Sequence, residues 1–381
     1  MEKKIDVLIK GQGVVGLAAA LHLSQRRLEI ALSTDLTQQG TPPKQDARYY
    51  ALNKSSKEIL EAIDCWPTGS DVTELREMQI FGDHESELSF APDRMKMPLA
   101  WIVKASSLNI KLVEKIKLQP NITQALHEGQ NIQAPLTLIC EGKHSAMRKK
   151  LGVEFDVKPY EQSAYATLIE TGSPHHGKAL QWFIDNESGP EILGLLPCEG
   201  NGSNKMSVIW SMPSQKASEY QEKTDVEIAV AIDEMTKHQF PNLKVIGPSA
   251  VWPLSASKAK QWIGHWNTDS AWALLGDSAH TVHPLAGMGL NLGLGDVAEM
   301  VKTLELRHEK EYWRKLSDRY LLRKYERARK TDILSAWLFC DAIQRLFSHP
   351  SSLVKNLRNK GLHGVQKFSF IKSFFMLQAG S

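Results

Sequence analysis

Ala271-Trp272-Ala273-Leu274-Leu275-Gly276-Asp277-Ser278-Ala279-His280-Thr281-Val282-His283-Pro284-Leu285-Ala286-Gly287-Met288-Gly289-Leu290-Asn291 reads as an apolar strand, an acid at its end, a Pro/Gly loop and a helix entry. The helical pattern continues from Leu292 to Leu304. A helix start carries unpaired N–H groups and the positive end of the helix dipole, so this loop can present backbone N–H groups to an anionic ring. Asp277 stands where the loop leaves the strand, placed to grip a polyol chain.

A second element of the same kind opens the chain. Residues 5–10 form a short apolar strand, followed at once by Gly11-Gln12-Gly13-Val14-Val15-Gly16 and a helix with Leu17, Ala20, Leu21 and Leu23 on one face. A second strand, Leu28 to Leu32, completes a βαβ start. In G-x-G-x-x-G after a strand, the first Gly makes the turn, the second lets backbone approach a pyrophosphate, and the third packs helix on strand. The acid expected to grip a ribose falls in register at Thr34, with Asp35 beside it, so either the Thr hydroxyl or a shifted Asp35 serves.

Two further segments carry chemistry. Asp46-Ala47-Arg48-Tyr49-Tyr50-Ala51-Leu52 precedes a helical pattern running from Tyr50 to Ile63. Arg48 there can fork onto a diphosphate, or serve in a helix-capping ion pair. Cys140-Glu141-Gly142-Lys143-His144-Ser145-Ala146-Met147-Arg148 follows the apolar strand 136–140.

In this order and context, the segments 11–16, 140–148 and 276–291 resemble the FAD motifs of the flavin-dependent aromatic hydroxylases (class A), and most of all those of the ubiquinone-biosynthesis branch. The likeness extends to 162–170, Trp210-Ser211, Trp252-Pro253-Leu254, the 323–347 helices and the ending from Leu357 to Gly380. It implies an α/β fold: a Rossmann-like FAD-binding domain with an inserted, mostly antiparallel β-sheet substrate domain and a helical C-terminal tail, as in p-hydroxybenzoate hydroxylase. The expected division is 1–78, 100–155 and 262–330 for FAD, 79–99 and 156–261 for substrate, and 331–381 as the C-terminal helical region. The resemblance implies FAD as cofactor, NAD(P)H as co-substrate, and ring hydroxylation with O2 through a flavin C4a-hydroperoxide. The substrate it implies is a polyprenyl phenol or benzoquinone precursor of ubiquinone. The implied cofactor-binding residues are Gly11, Gly13, Val15, Gly16, Thr34, Asp35, Arg48, Glu141, Asp277, Pro284, Gly287, Met288, Gly289, Leu290 and Asn291.

The chain departs from the branch at Thr34, at Glu141 (Asp in the family) and at Met288 (Gln in the branch), and 118–136 is short. These departures also fit a chain that binds flavin but serves as an accessory subunit; a third reading is hydroxylation of a soluble phenol. Since the flavin carries the hard step, no catalytic side chain is required. His280 and His283 are read as hydrogen-bonding structural residues. Trp182, Phe183, Trp210 and Trp252 are candidates for an apolar pocket over the flavin, with ordinary core packing as the alternative.

Composition agrees with this class. The 381 residues suffice for two domains, with 42% hydrophobic and 23% charged residues. The four cysteines (Cys65, Cys140, Cys198, Cys340) form no CxxC pair, so neither a zinc site nor a disulfide framework is expected, and a reducing cytoplasm is. No signal peptide is read at the start, and no run reaches the roughly 20 apolar residues of a spanning helix. The net charge of +3 conceals an uneven distribution: residues 301–381 hold 17 Lys/Arg against 7 Asp/Glu. That region suits anionic lipid, an acidic partner or a solvated helix face; without a recognition motif it makes no case for nucleic acid. The ending from Phe368 to Leu377 is apolar with Lys367 and Lys372 beside it, which suits a peripheral helix on the inner membrane, packing on the tail, or a partner in a quinone-biosynthesis assembly. The pattern predicts short strands between 160 and 260 with one helix at 218–237, then helices at 309–330, 331–347 and 351–377.

Overall fold

A computed structural model describes residues 4–33, 48–82, 87–90, 97–124, 132–186, 189–282, 288–310 and 312–348. Its helices in chain order are α1 (Val14–Ser24), α2 (Lys54–Glu61), α3 (Ala105–Lys117), α4 (Ala146–Lys150), α5 (Ser214–Gln221), α6 (Asp225–Met235), α7 (Met288–Lys310) and α8 (Arg319–Ser348).

The parallel sheet that opens the fold is built from runs with almost no polar interruption: Val7–Lys10, Ile30–Ser33, Leu136–Ile139 and Ala271–Leu274. Such runs suit strands covered on both faces, where both side-chain directions meet apolar neighbours. Strand 7–10 lies between 30–33 and 136–139, and 271–274 adds beyond 136–139, all in parallel. Ile122–Gln124 joins the other edge, so the shortened region still supplies a strand. α1 is buried from Gly16 to Ser24 and packs with α3 and α7 around Leu17, Leu21, Leu108, Leu112, Val297 and Val301.

The second sheet is mostly antiparallel. Its central strands run Ala250–Ala259, Phe155–Glu170, Lys205–Pro213, Gly189–Cys198 and Lys178–Asn186. Glu77–Phe81 and Glu87–Phe90 form an antiparallel pair at its edge, where Glu77–Phe81 runs parallel to Lys178–Asn186. Side chains alternate between faces along each strand. One face (Tyr165, Trp182, Leu193, Leu195, Val208, Trp210) is covered by α5 and α6 through Ala217, Ile228 and Ile232. The other carries Ala166, Leu168, Ile192, Gly194, Leu196 and Ile209, all half-buried.

Several element boundaries differ from the sequence reading. The helix expected from Tyr50 begins only at Lys54, because Tyr49–Leu52 pairs with Ala100–Lys104 in a small third sheet. Asn53 then caps α2, its side-chain oxygen accepting the Ser56 N–H at 2.8 Å. The single helix expected at 218–237 is two, since Thr224 and Glu227 form a capping box that starts α6 afresh. In place of a break near 331, the chain turns at 312–318. There Asp318 accepts the Tyr320 and Leu321 N–H groups and starts α8, which runs unbroken to Ser348. The stretch 351–377 lies outside the described residues.

Candidate functional site

Three loops at the ends of the parallel strands meet. Gly11 has φ +108°, and a Cβ there would sit 2.3 Å from the Cys140 carbonyl oxygen. At Gly16 a Cβ would sit 2.1 Å from the Gly11 oxygen. These two positions lock the first turn against the end of strand 136–139. Gly13 differs: it caps α1, and nothing among the described residues lies within 4 Å of a Cβ built on it. α1 has neither a side-chain cap nor an acid in its first turn. The positive end of the helix therefore faces open space in front of Gly13, which suits a diphosphate.

Val15 turns the other way. Its methyls lie 3.3 Å from a Cβ placed on Gly276 and 2.7 Å from one on Gly293. The start of α1, the 276–278 turn and the second turn of α7 are thus in contact. The third loop is tied in by Arg148, which is buried and donates to the Ser278 carbonyl at 2.9 Å and the Lys143 carbonyl at 2.6 Å. Glu141 holds this loop from inside: its carboxylate accepts the Ser145 hydroxyl at 2.6 Å and the Met147 N–H at 2.9 Å. The added methylene relative to Asp lets it reach the head of α4.

Asp277 is the one exposed residue of a turn whose neighbours Gly276 and Ser278–His280 are buried. Crowding protein displaces water around it and pushes its carboxyl above the usual range, while His280 and Lys143 favour the charged form and Asp296 opposes it. The turn beneath it hangs on a buried carboxylate absent from the sequence reading. Asp296 of α7 accepts the Gly276 N–H at 2.7 Å, pairs with His280 Nε2 at 2.7 Å and receives Arg329 Nε of α8 at 2.7 Å. Burial alone would raise the Asp296 carboxyl; His280 and Arg329 outweigh it and hold it below its ordinary value. Arg329 also donates to the Leu292 carbonyl, and His280 stacks on Trp262 at 5.0 Å. The i, i+4 spacing of Leu292 and Asp296 on one helix face was the available signal; their partner, 33 residues beyond Asp296, was not visible in the sequence.

The remaining candidates divide. Met288 is fully buried among Trp272, Leu274, Ala279 and Val282, where a thioether packs as an apolar group. Gly289 is half-buried with open space at its Cβ direction, and Leu290 packs on the first core. Asn291 uses its amide on the protein: its oxygen accepts the Asn53 N–H and the Ser56 hydroxyl, and its nitrogen donates to the Ala51 carbonyl. Arg48 is exposed at the head of strand 49–52, its carbonyl accepting the Ala105 N–H. Thr34, Asp35, His283, Pro284 and Gly287 lie outside the described residues.

Of the aromatic candidates, Trp182 and Trp210 lie in the core under α5 and α6, facing away from the loops. Strand parity puts Phe183 and Trp252 on the opposite face with Ile192 and Ala164. That face comes near the site at the buried cluster of Tyr49, Ile102 and Cys198, on which Leu168, Leu196 and Ala51 all pack, and the Ala51 carbonyl bonds to Asn291.

A parallel sheet with a glycine turn at one helix start, an acid-bearing turn before another, and an antiparallel sheet beside them define a dinucleotide-binding flavoprotein. The residues fit FAD, because the cradle in front of Gly13 is open and the Asp277 turn is fixed from behind. The chain belongs to the FAD binding domain family, whose pattern matches residues 100–332, and its cofactor is FAD. Ubiquinone hydroxylase UbiL of Rhodospirillum rubrum is 24% identical, covering 99% of this chain and 90% of that protein. The 3-demethoxyubiquinol 3-hydroxylase of Escherichia coli is 24% identical, covering 96% of each. Among solved structures, p-nitrophenol 4-monooxygenase PnpA of Pseudomonas putida has the same fold, with a TM-score of 0.74 at 15% identity over 99% of this chain and 98% of that one. Tetrameric 2-methyl-3-hydroxypyridine-5-carboxylic acid oxygenase follows at a TM-score of 0.70 and 16% identity, covering 92% and 94%. The α/β architecture expected from the resemblance is the one observed.

Proposed function

We propose that this protein is an FAD-dependent monooxygenase that hydroxylates the aromatic ring of a polyprenylated ubiquinone precursor, using NAD(P)H and O2. The observation that carries the reading is the half-buried apolar sheet face of Ile192, Gly194, Leu196 and Ile209, whose Leu196 packs on the Tyr49, Ile102 and Cys198 cluster together with Ala51, the residue bonded to Asn291 at the α7 entry. Small side chains at Ala166 and Gly194, both half-buried, leave room over that face for a planar ring, and the surrounding aliphatic groups exclude water from it. The bound FAD would supply the oxygen activation; the chain's own part is to bind, orient and desolvate. Gly13 and the α1 entry would receive the diphosphate, Asp277 the ribityl hydroxyls, and Gly289 and Leu290 the ring edge.

On this reading residues 1–78, 100–155 and 262–330 serve the cofactor and 79–99 and 156–261 the substrate. A prenylated substrate keeps the enzyme at the membrane or in a quinone-biosynthesis assembly. Among the described residues no helix is long and apolar enough to cross a membrane. The test is deletion of the gene in its host with mass analysis of the quinone pool. An accumulated precursor one oxygen short is expected; an unchanged pool would overturn the quinone reading. Purified protein that retains FAD without substrate-stimulated NAD(P)H oxidation would favour an accessory role.

A further inference from the structure

The turn before α8 and the first turns of that helix expose rings and cations together. Tyr312, Trp313 and Tyr320 are 75%, 64% and 51% exposed. Large aromatic side chains this open are unusual on a surface that meets only water. Arg319, Arg323 and Arg327 recur every four residues and so form one stripe along α8, with Tyr320 and Lys324 beside it. Arg314 and Lys324 flank the Tyr320 ring at 4.6 and 5.2 Å.

The nearby acids whose side chains the structure describes are engaged elsewhere. Asp318 caps α8 and takes Arg314, Glu326 accepts the Trp262 N–H and Lys330, and Asp332 meets Arg329. Among the described residues, Arg319, Arg323 and Arg327 form no ion pair, so the stripe presents its full positive charge. Rings with one polar edge settle at headgroup depth, and unneutralised cations beside them are attracted to anionic headgroups.

We propose that the surface formed by residues 312–327 docks this protein on an anionic lipid bilayer. Leu334 and Leu338, both more than half exposed further along α8, extend the surface with apolar contact. The inference is independent of the reaction, because vesicle binding requires neither FAD nor turnover; a failed hydroxylation assay would leave it standing, and the reverse holds too.

The test is co-sedimentation of the full chain with phosphatidylcholine vesicles, with and without phosphatidylglycerol, at low and high salt. Binding is expected only with phosphatidylglycerol, and it should weaken with salt. Each cation removed should weaken it about fivefold, so R323Q/R327Q should lose about 25-fold. Trp313→Ser should weaken binding without altering α8, and the charge control K117Q/K237Q should bind as the parent does. Both arginines are exposed, so unchanged melting midpoints are expected to accompany the losses. A parent protein that stays in solution with phosphatidylglycerol vesicles, or binds only an acidic polypeptide such as polyglutamate, would overturn the proposal. So would R323Q/R327Q and Trp313→Ser binding like the parent.

Discussion

Replacing Asp296 by Asn tests whether the buried carboxylate behind the 276–278 turn holds the cofactor site together. The substitution conserves shape, so its cost is electrostatic and leaves no cavity. Arg329 would keep the Leu292 carbonyl and Asp332 but lose its fully buried partner at 2.7 Å. Removing one member of a buried pair costs about 3–5 kcal/mol. Asp332 still meets the guanidinium from the solvent side, and one Asn oxygen can still accept the Gly276 N–H, so we expect the lower end, about 3 kcal/mol. That is a large share of the roughly 5–15 kcal/mol by which domains are stable. Urea unfolding of the parent, Asp296→Asn, Arg329→Met and the double variant would measure the coupling, expected at about 2–3 kcal/mol. FAD affinity, read by flavin fluorescence, should fall at least about fivefold in each single variant, equivalent to one lost hydrogen bond of about 1 kcal/mol in the turn that bears Asp277. Additivity within about 0.5 kcal/mol, with FAD affinity unchanged, would refute a coupled network.

The other expectations use the same geometry. Gly13→Ala should leave the melting midpoint unchanged yet sharply weaken FAD binding, while Gly16→Ala, whose Cβ meets backbone at 2.1 Å, should destabilise the protein before any ligand is added. Paired thermal melts and FAD titrations separate the two, and equal effects would contradict the open cradle. Asp277→Asn should weaken FAD but raise the melting midpoint of the FAD-free protein at neutral pH. A carboxyl with a raised folded pKa contributes stability only below its unfolded pKa and loses it as pH rises through the folded one, so removing the charge helps above that window. Asp296 has the opposite sign: its lowered carboxyl stabilises above the unfolded value of about 4 and loses that contribution as pH falls, so the stability gap between the parent and Asp296→Asn, read by urea unfolding at a series of pH values, should narrow below a pH of about 4, and a gap that stays constant into acid would contradict the assignment. On the second sheet, Ile192→Trp should block substrate-stimulated NAD(P)H oxidation with little change in stability. Its neighbour Leu193→Ala should instead cost about 2–5 kcal/mol in unfolding, because it empties core under α5 and α6.

Much of the framework was legible in the chain because it is local. The βαβ start needs only an apolar run, three glycines and a one-sided helix within about 30 residues. Likewise, the run through Asp277 announces a strand, a turn and a helix in sequence order. The reading erred where a neighbour in space or a single capping residue decided the outcome. Tyr50 has helical context on its C-terminal side, but pairing with Val103 draws it into a strand, and Asn53 delays the helix. Trp182 and Phe183 are adjacent and chemically alike; register against 189–198 sends one under α6 and the other to the opposite face.

The sequence by itself determined the class of fold, the cofactor and the three loops proposed to receive it, since each is a short segment whose backbone chemistry is complete within itself. Only the tertiary structure decided what those loops rest on. Asp296, Arg329 and Asn291 owe their roles to partners 16 to 240 residues away, and a buried carboxylate is fixed by the charges brought to it in space. The same holds for the cationic, aromatic flank of α8, which is visible as a surface only once Asp318, Glu326 and Asp332 have found their partners elsewhere.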